Sequence, residues 1–147
     1  MLANAVATRV HAQLGNAHIG LGDLEKALVT HTMALEIREK APGNGYKLAA
    51  SLHKVAWVMA QRGENGEAER LLRRALDVYD DGDKSRGELG RTSYLMASVL
   101  AALGREEDAR RAKADAAQVR KDVLGLEPRD DDDDQASYDL LIPFELR

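Results

Sequence analysis

The side chains that could do acid–base or metal chemistry in this 147-residue chain are scattered rather than clustered. Histidines stand at His11, His18, His31 and His53, and there is no cysteine, which removes disulfides and thiolate metal sites. His18 and His31 lack a nearby carboxylate, and two imidazoles alone make a poor metal site. Their functional alternative is a pH-sensing role. Serines and aspartates occur, but no nucleophile elbow, HExxH or GxxxxGKS/T pattern accompanies them. Gly20-Leu21-Gly22 reads as a helix terminus, because no strand and no further Gly-rich motif precedes it. GREEDARR reads as a helix start with its acids near the positive end of the dipole. The residues therefore predict no enzyme, no cofactor and no metal. What remains is binding chemistry, and that depends on which side chains share a wall.

The elements that would build such a wall follow from one stretch, Val55–Val78, VAWVMAQRGENGEAERLLRRALDV. It reads as helix, tight turn, helix. Val55, Ala56 and Met59 share one face of the first helix; Ala68, Leu72, Ala75 and Leu76 share one face of the second. Gly63 ends the first helix, where a left-handed residue is cheapest as glycine. Ala56, Ala68 and Ala75 are small where helices must approach closely. The landmarks recur at one fixed offset in both directions. Ala56, Gly63, Ala68, Ala75 and Val78 become Gly15, Gly22, Ala27, Ala34 and Ile37 upstream, and Ala97, Gly104, Ala109, Ala116 and Val119 downstream. A fixed period of this size, about 41 positions, marks a stacked-repeat protein.

A small residue at the eighth position of a unit, Gly at the fifteenth and Ala at the twentieth and twenty-seventh resembles the tetratricopeptide-repeat (TPR) pattern. LGNAHIGLGDLEKALVTHTMAL, VAWVMAQRGENGEAERLLRRAL and MASVLAALGREEDARRAKADAA each look like it. The spacing exceeds the family's common length of roughly 34 residues. It is similar to the longer repeats of kinesin light chains and of fungal and bacterial proteins built on the same plan. The resemblance implies an all-α chain, a right-handed α-solenoid of three helix-turn-helix repeats. The predicted units are about 4–44, 45–85 and 86–125, an array over 4–125 followed by an acidic-apolar tail over 126–147. In this family His18 and His31 fall where two side chains face each other across a helix pair, which predicts a satisfied pair of core imidazoles.

Taken in order, the predicted helices are about 4–20 with Asn4 as cap, 23–40 with Asp23 as cap, 46–62, 66–79, 88–103 and 106–124. Pro42, Gly43, Asn44 and Gly45 break the chain after the second. DDGDKSRG reads as a polar loop before the fifth. The sixth, with Arg110, Arg111, Lys113, Asp115, Arg120 and Lys121, is polar over much of its circumference, as suits a capping helix. The first helix pair would expose an apolar face that another repeat normally covers. Both features suggest the C-terminal array of a larger multi-domain signalling protein, and exposed ends or tail exchange would allow a homodimer.

The resemblance also implies a concave wall made by the first helix of each pair. The positions that commonly face it bring Arg9 and Asn16 from the first unit, His53, Lys54 and Trp57 from the second, and Arg91, Tyr94 and Leu95 from the third. Cations and an amide suit carboxylates, and Trp57 and Tyr94 add flat apolar area. The wall is therefore read as a peptide-binding groove for an extended or helical protein segment bearing an acid. Some TPR co-chaperones clamp a C-terminal carboxylate with five polar residues; here only Asn16 and Arg91 match, while Ala12, Lys54 and Leu95 depart from the pattern.

The tail carries eight acids and two bases, leaving 17 acids and 19 bases in the body. A run of five aspartates, Asp130 to Asp134, is followed by SYDLLIPFELR, unusually apolar for a chain end. Tyr138, Leu141 and Phe144 are the candidate docking residues, with the array as receptor and Arg9, Lys54 and Arg91 as partners for the aspartates. The body is not basic enough for nucleic acid, no run is long enough for a membrane span, and the N-terminus is not a signal peptide. The expectation is a soluble cytoplasmic, non-catalytic protein–protein interaction module. The alternative is a regulatory sensor arm of a larger nucleotide-switch ATPase of the STAND type.

Overall fold

The computed structural model describes residues 2–41, 43, 45–79, 83–125 and 138–139. Six long helices run in order through them: α1 (Leu2–Gly20), α2 (Leu24–Glu39), α3 (Gly45–Gln61), α4 (Asn65–Val78), α5 (Asp83–Ala102) and α6 (Glu106–Leu124). No strand occurs among the described residues. The chain is an all-helical stack of hairpins, as its periodicity predicts.

Each hairpin is closed by the same local chemistry. Gly22, Gly63 and Gly104 have φ of 73°, 82° and 74°. After Gly63, the Glu64 amide donates to the Met59 carbonyl at 2.9 Å and the Gly63 amide to that of Ala60 at 3.0 Å. The first and third turns repeat this pair of bonds, with Asp23 N–H on His18 and Arg105 N–H on Leu100, both at 2.9 Å. The left-handed glycine thus satisfies carbonyls that a helix end leaves open. Asp23 caps α2 as predicted, accepting from the Lys26 amide at 3.1 Å.

Packing is densest within the pairs α1–α2, α3–α4 and α5–α6, and continues through α2 on α3, α4 on α5 and α3 on α5. The close approaches are made at alanines: Ala27, Ala56, Ala68, Ala75 and Ala116 are all 0% exposed. Leu52, Leu72, Val58 and Val99 fill the space between hairpins. At Gly15 an added Cβ would stand only 2.6 Å from Nε2 of His31. The imidazole therefore lies directly over the glycine, and the small residue at that position exists to receive it.

Several expectations are corrected. Asn4 lies inside α1 rather than capping it, and its carbonyl accepts from the Thr8 hydroxyl at 2.7 Å. The loop read over residues 80–87 is helical from Asp83 onward. Polarity and Gly87 argue against helix there, but Gly87 and Gly90 are buried in α5, and packing overrides the modest propensity cost of glycine. Arg120, read as part of a solvated cap, is 7% exposed. His31 is buried, but its Nε2 has no hydrogen-bond partner among the described residues, so the satisfied imidazole pair with His18 is not formed. The exposed apolar face expected at the first hairpin is present: Leu2, Val6, Val10 and Leu14 of α1 and Val29 and Met33 of α2 all reach solvent.

Candidate binding groove

The first helices of the three hairpins line a cavity of about 320 Å3 that is open to solvent on one side. Asn16 and Ile19 reach it from α1, His53, Lys54 and Trp57 from α3, Arg91 from α5, and Asp139 from the tail. α3 packs against α5, whereas α1 approaches α3 far less closely, and the cavity occupies that gap. Asn16, His53, Lys54, Trp57 and Arg91, all predicted to share a wall, therefore converge. Arg9 does not: it is exposed, two turns before Asn16 on α1. Tyr94 stands beside the cavity, one turn after Arg91, and Leu95 is turned into the core at 5% exposure.

The floor of the groove is a buried polar cluster that sequence alone did not bring out. Glu88 and Arg91 are 0% and 1% exposed and pair at 3.4 Å between Oε2 and Nη2. The Thr92 hydroxyl lies 2.7 Å from that of Tyr79 and 3.1 Å from Nδ1 of His53. Three elements are stitched together there: the end of the second hairpin, α3 and α5. Thr92 is 0% exposed and His53 is 3% exposed, so this chain of groups offers no reactive atom to solvent and works as a structural strut. Glu88 spaced three positions before Arg91 was the available signal, because that spacing places both on one helix face.

Burial decides the protonation of the cluster. Desolvation, with help from the Arg91 and Lys54 charges, drives the His53 imidazole well below its usual range, so it is neutral. Desolvation also lowers Lys54 to about 8, reinforced by Arg91 and opposed by the carboxylates of Asp139 and Glu88. The same burial raises Glu88 against the pull of Arg91 and Lys54. The Tyr79 phenol is raised too, by desolvation and then by the nearby Glu88. His31, outside the groove, is lowered to about 4, mainly by burial and then by Lys54 and Arg38.

Of the predicted docking residues, Tyr138 is seated on the array at 1% exposure. Its ring stacks on that of Tyr94 with centroids 4.5 Å apart and planes inclined by 23°. The Arg120 guanidinium lies 5.8 Å from the Tyr138 ring centroid, which explains why a cation of α6 is buried. Asp139 Oδ1 is 3.8 Å from Nε of Arg91. Leu141, Phe144 and the aspartate run at 130–134 lie outside the described residues. Among the described tail residues, Asp139 is the carboxylate near Arg91.

Stacked two-helix hairpins, with glycine-closed turns and alanine-lined contacts, define an α-helical repeat protein whose first helices share one wall. A tetratricopeptide-repeat family model matches residues 6–81, which span α1 to α4, and a second tetratricopeptide-repeat model matches residues 90–112, across the turn of the last hairpin. The chain belongs to the tetratricopeptide-repeat family. Repeats of this family generally mediate protein–protein interactions and are generally non-catalytic. No curated protein matches the chain. Among the described residues, no helix is long and apolar enough to cross a membrane, and no group of three or more His, Asp or Glu could hold a metal ion.

Proposed function

We propose that this chain is a non-catalytic interaction module that holds an extended or helical segment of a protein partner along the wall formed by α1, α3 and α5. The observation that carries the reading is the convergence of Asn16, Lys54, Trp57 and Arg91 on one cavity between those helices. An amide and two cations there can hold carboxylates, and Trp57, half-buried, adds the flat apolar area that anchors a segment. The His53 imidazole beside the cavity is 3% exposed, held neutral and paired with the buried Thr92 hydroxyl, which supports a structural rather than a catalytic role for it. The partner segment is expected to be acidic.

The test is selection of peptides from a random library on the immobilised full chain. Binding of the selected peptides to the parent and to each variant is then measured by titration calorimetry. Acidic peptides that bind the full chain and lose at least about fivefold in affinity with Trp57→Ala or Lys54→Ala would support the groove, since truncating an anchor residue costs about 1 kcal/mol or more. Selected peptides that bind these variants as well as the parent would place binding elsewhere on the surface.

A further inference from the structure

Lys54 stands in the middle of the wall, on α3, between Asn16 and Ile19 of α1 and Arg91 of α5. It is half-buried, and its ammonium makes no hydrogen bond or ion pair with a described residue. Lys26 is the contrast: it is 69% exposed and paired with Asp23 at 2.8 Å. The surroundings of Lys54 are of another kind. Ile19 and Trp57, the latter one turn further along α3, make its cavity partly apolar, and Arg91 brings a second cation to the same space. The cavity is open to solvent on one side, so a small molecule can reach the amine.

Both features make this amine easier to discharge. An ammonium loses hydration when half-buried, and a neighbouring cation repels it. Burial first, and then the Arg91 charge, lower Lys54 to about 8, while the carboxylates of Asp139 and Glu88 oppose the shift. The imidazoles of His53 on α3 and His31 on α2 are kept neutral at pH 7 by burial and bring no counter-charge. Lys26 moves the other way, raised by its hydrogen bond to Asp23. At pH 7 a group titrating near 8 is uncharged in roughly one molecule in ten, against about one in several thousand for an ordinary lysine. A less basic amine is a weaker nucleophile, but that returns only part of the gain. With a Brønsted slope of about 0.4–0.5, as for thiols, a net advantage of roughly 20-fold remains. Desolvation and an adjacent cation are the two means by which a lysine becomes a nucleophile.

We propose that Lys54 is an acylation site: it takes an acyl group from a small acyl thioester that enters the cavity from its open side, and the modified groove holds an acidic segment less well. The neutral Nζ attacks the thioester carbonyl. A C–N bond forms as the C–S bond breaks, and the amine proton leaves with the sulfur as a thiol. The product is an amide that carries no charge. The second half of the proposal rests on the reading of the α1–α3–α5 wall as a binding surface for acidic segments. Acylation removes one of the two cations that line it. The link runs both ways, because a partner seated on the wall shields Lys54 from the acylating agent.

The experiment exposes the full chain to a small acetyl thioester, S-acetyl-N-acetylcysteamine, from pH 6 to pH 10 and follows each lysine by peptide mass spectrometry. At pH 7 Lys54 is expected to react at least about fivefold faster than the exposed Lys26 and Lys40, the nucleophilic advantage less a cost for its half-buried position. Its rate should level off above about pH 8, while that of Lys26 keeps rising. In guanidinium chloride both differences should vanish. A Lys54 rate no higher than those of the exposed lysines, or a pH profile parallel to theirs, would overturn the acylation site and leave the wall as a binding surface. The second half is judged by titration calorimetry with acidic peptides selected on the parent chain. Lys54→Gln, an uncharged stand-in for the acetylated side chain, should bind them at least about fivefold more weakly. Peptides weakened by Trp57→Ala but not by Lys54→Gln would overturn control by acylation while keeping the groove. Peptides weakened by neither would overturn the groove reading itself, on which the labelling rates do not depend.

Discussion

α1 and α5 are the first helices of the first and last hairpins, yet they are buried to very different extents. α1 buries only Thr8 and Gly15 and leaves Leu2, Val6, Val10 and Leu14 exposed. α5 buries Glu88, Arg91, Thr92 and Ser93 together with Leu95, Met96, Val99 and Leu100. Leu14, Val55 and Met96 stand at matching positions of successive units and are 45%, 3% and 4% exposed. Composition does not explain this, because the three are similarly apolar. The neighbours do. α3 and α5 are packed by other hairpins and by the tail, whereas α1 rests mainly on α2. In a stacked array each helix is half of a core, and the residue type fixes what burial is worth without fixing whether it happens.

The comparison can be broken most sharply at Arg91. Arg91→Leu would leave Glu88 buried without its cation and should cost about 3–5 kcal/mol in denaturant unfolding at pH 8. The loss should shrink near pH 5, because burial already favours the protonated form of Glu88. A loss under about 1 kcal/mol at pH 8 would mean that no buried charge is stranded and that the cluster is not a strut.

Acid should weaken the fold through its buried imidazoles. His31 titrates at about 4 when folded, against an unfolded value of 6.5. The unfolded state then binds the proton first, so this contribution is complete above pH 6.5 and fades as the pH falls toward and through 4. From His31 alone the fall is about 3 kcal/mol. His53, also held neutral by burial, adds to it in the same direction. Glu88, raised on folding, contributes in the opposite sense: its stabilisation is present below the unfolded value and lost as the pH rises. Unfolding free energies of the parent and of His31→Leu, measured from pH 7 to pH 4, isolate the first effect. Parallel pH profiles would show that His31 is not the source.

The smallest change is expected on α1. Leu14→Ser should alter stability by less than about 0.5 kcal/mol, as surface substitutions do. A larger loss, measured by the same denaturant titration, would mean that the exposed face of α1 is covered in solution.

Much of this molecule is legible from local rules. The three hairpin turns can be placed at Gly22, Gly63 and Gly104 because a helix end needs a left-handed residue there, and each has the positive φ expected. The alanine contacts follow from the need for close approach. The start of α5 is not legible, because polar residues and Gly87 resemble a loop when read without their neighbours. Arg120 reads as solvated for the same reason: nothing in the sequence of α6 shows that the Tyr138 ring will cover it. Asn16, His53, Lys54, Trp57 and Arg91 line one cavity, and it is the family resemblance, carried over position by position, that brings them together. Arg9 lies outside this cavity because a unit position fixes the direction of a side chain but not whether a neighbour stands opposite.

The sequence by itself determined the repeat, its turns and most of each helix, because these depend on interactions within a few residues. Tertiary structure alone decided which helix faces became core, that Glu88, Arg91 and His53 would sit beneath the wall, and that Tyr138 and Asp139 would land on it. Those outcomes depend on desolvation and on contacts between segments far apart in the chain, and neither is written in the spacing of residues along a single helix.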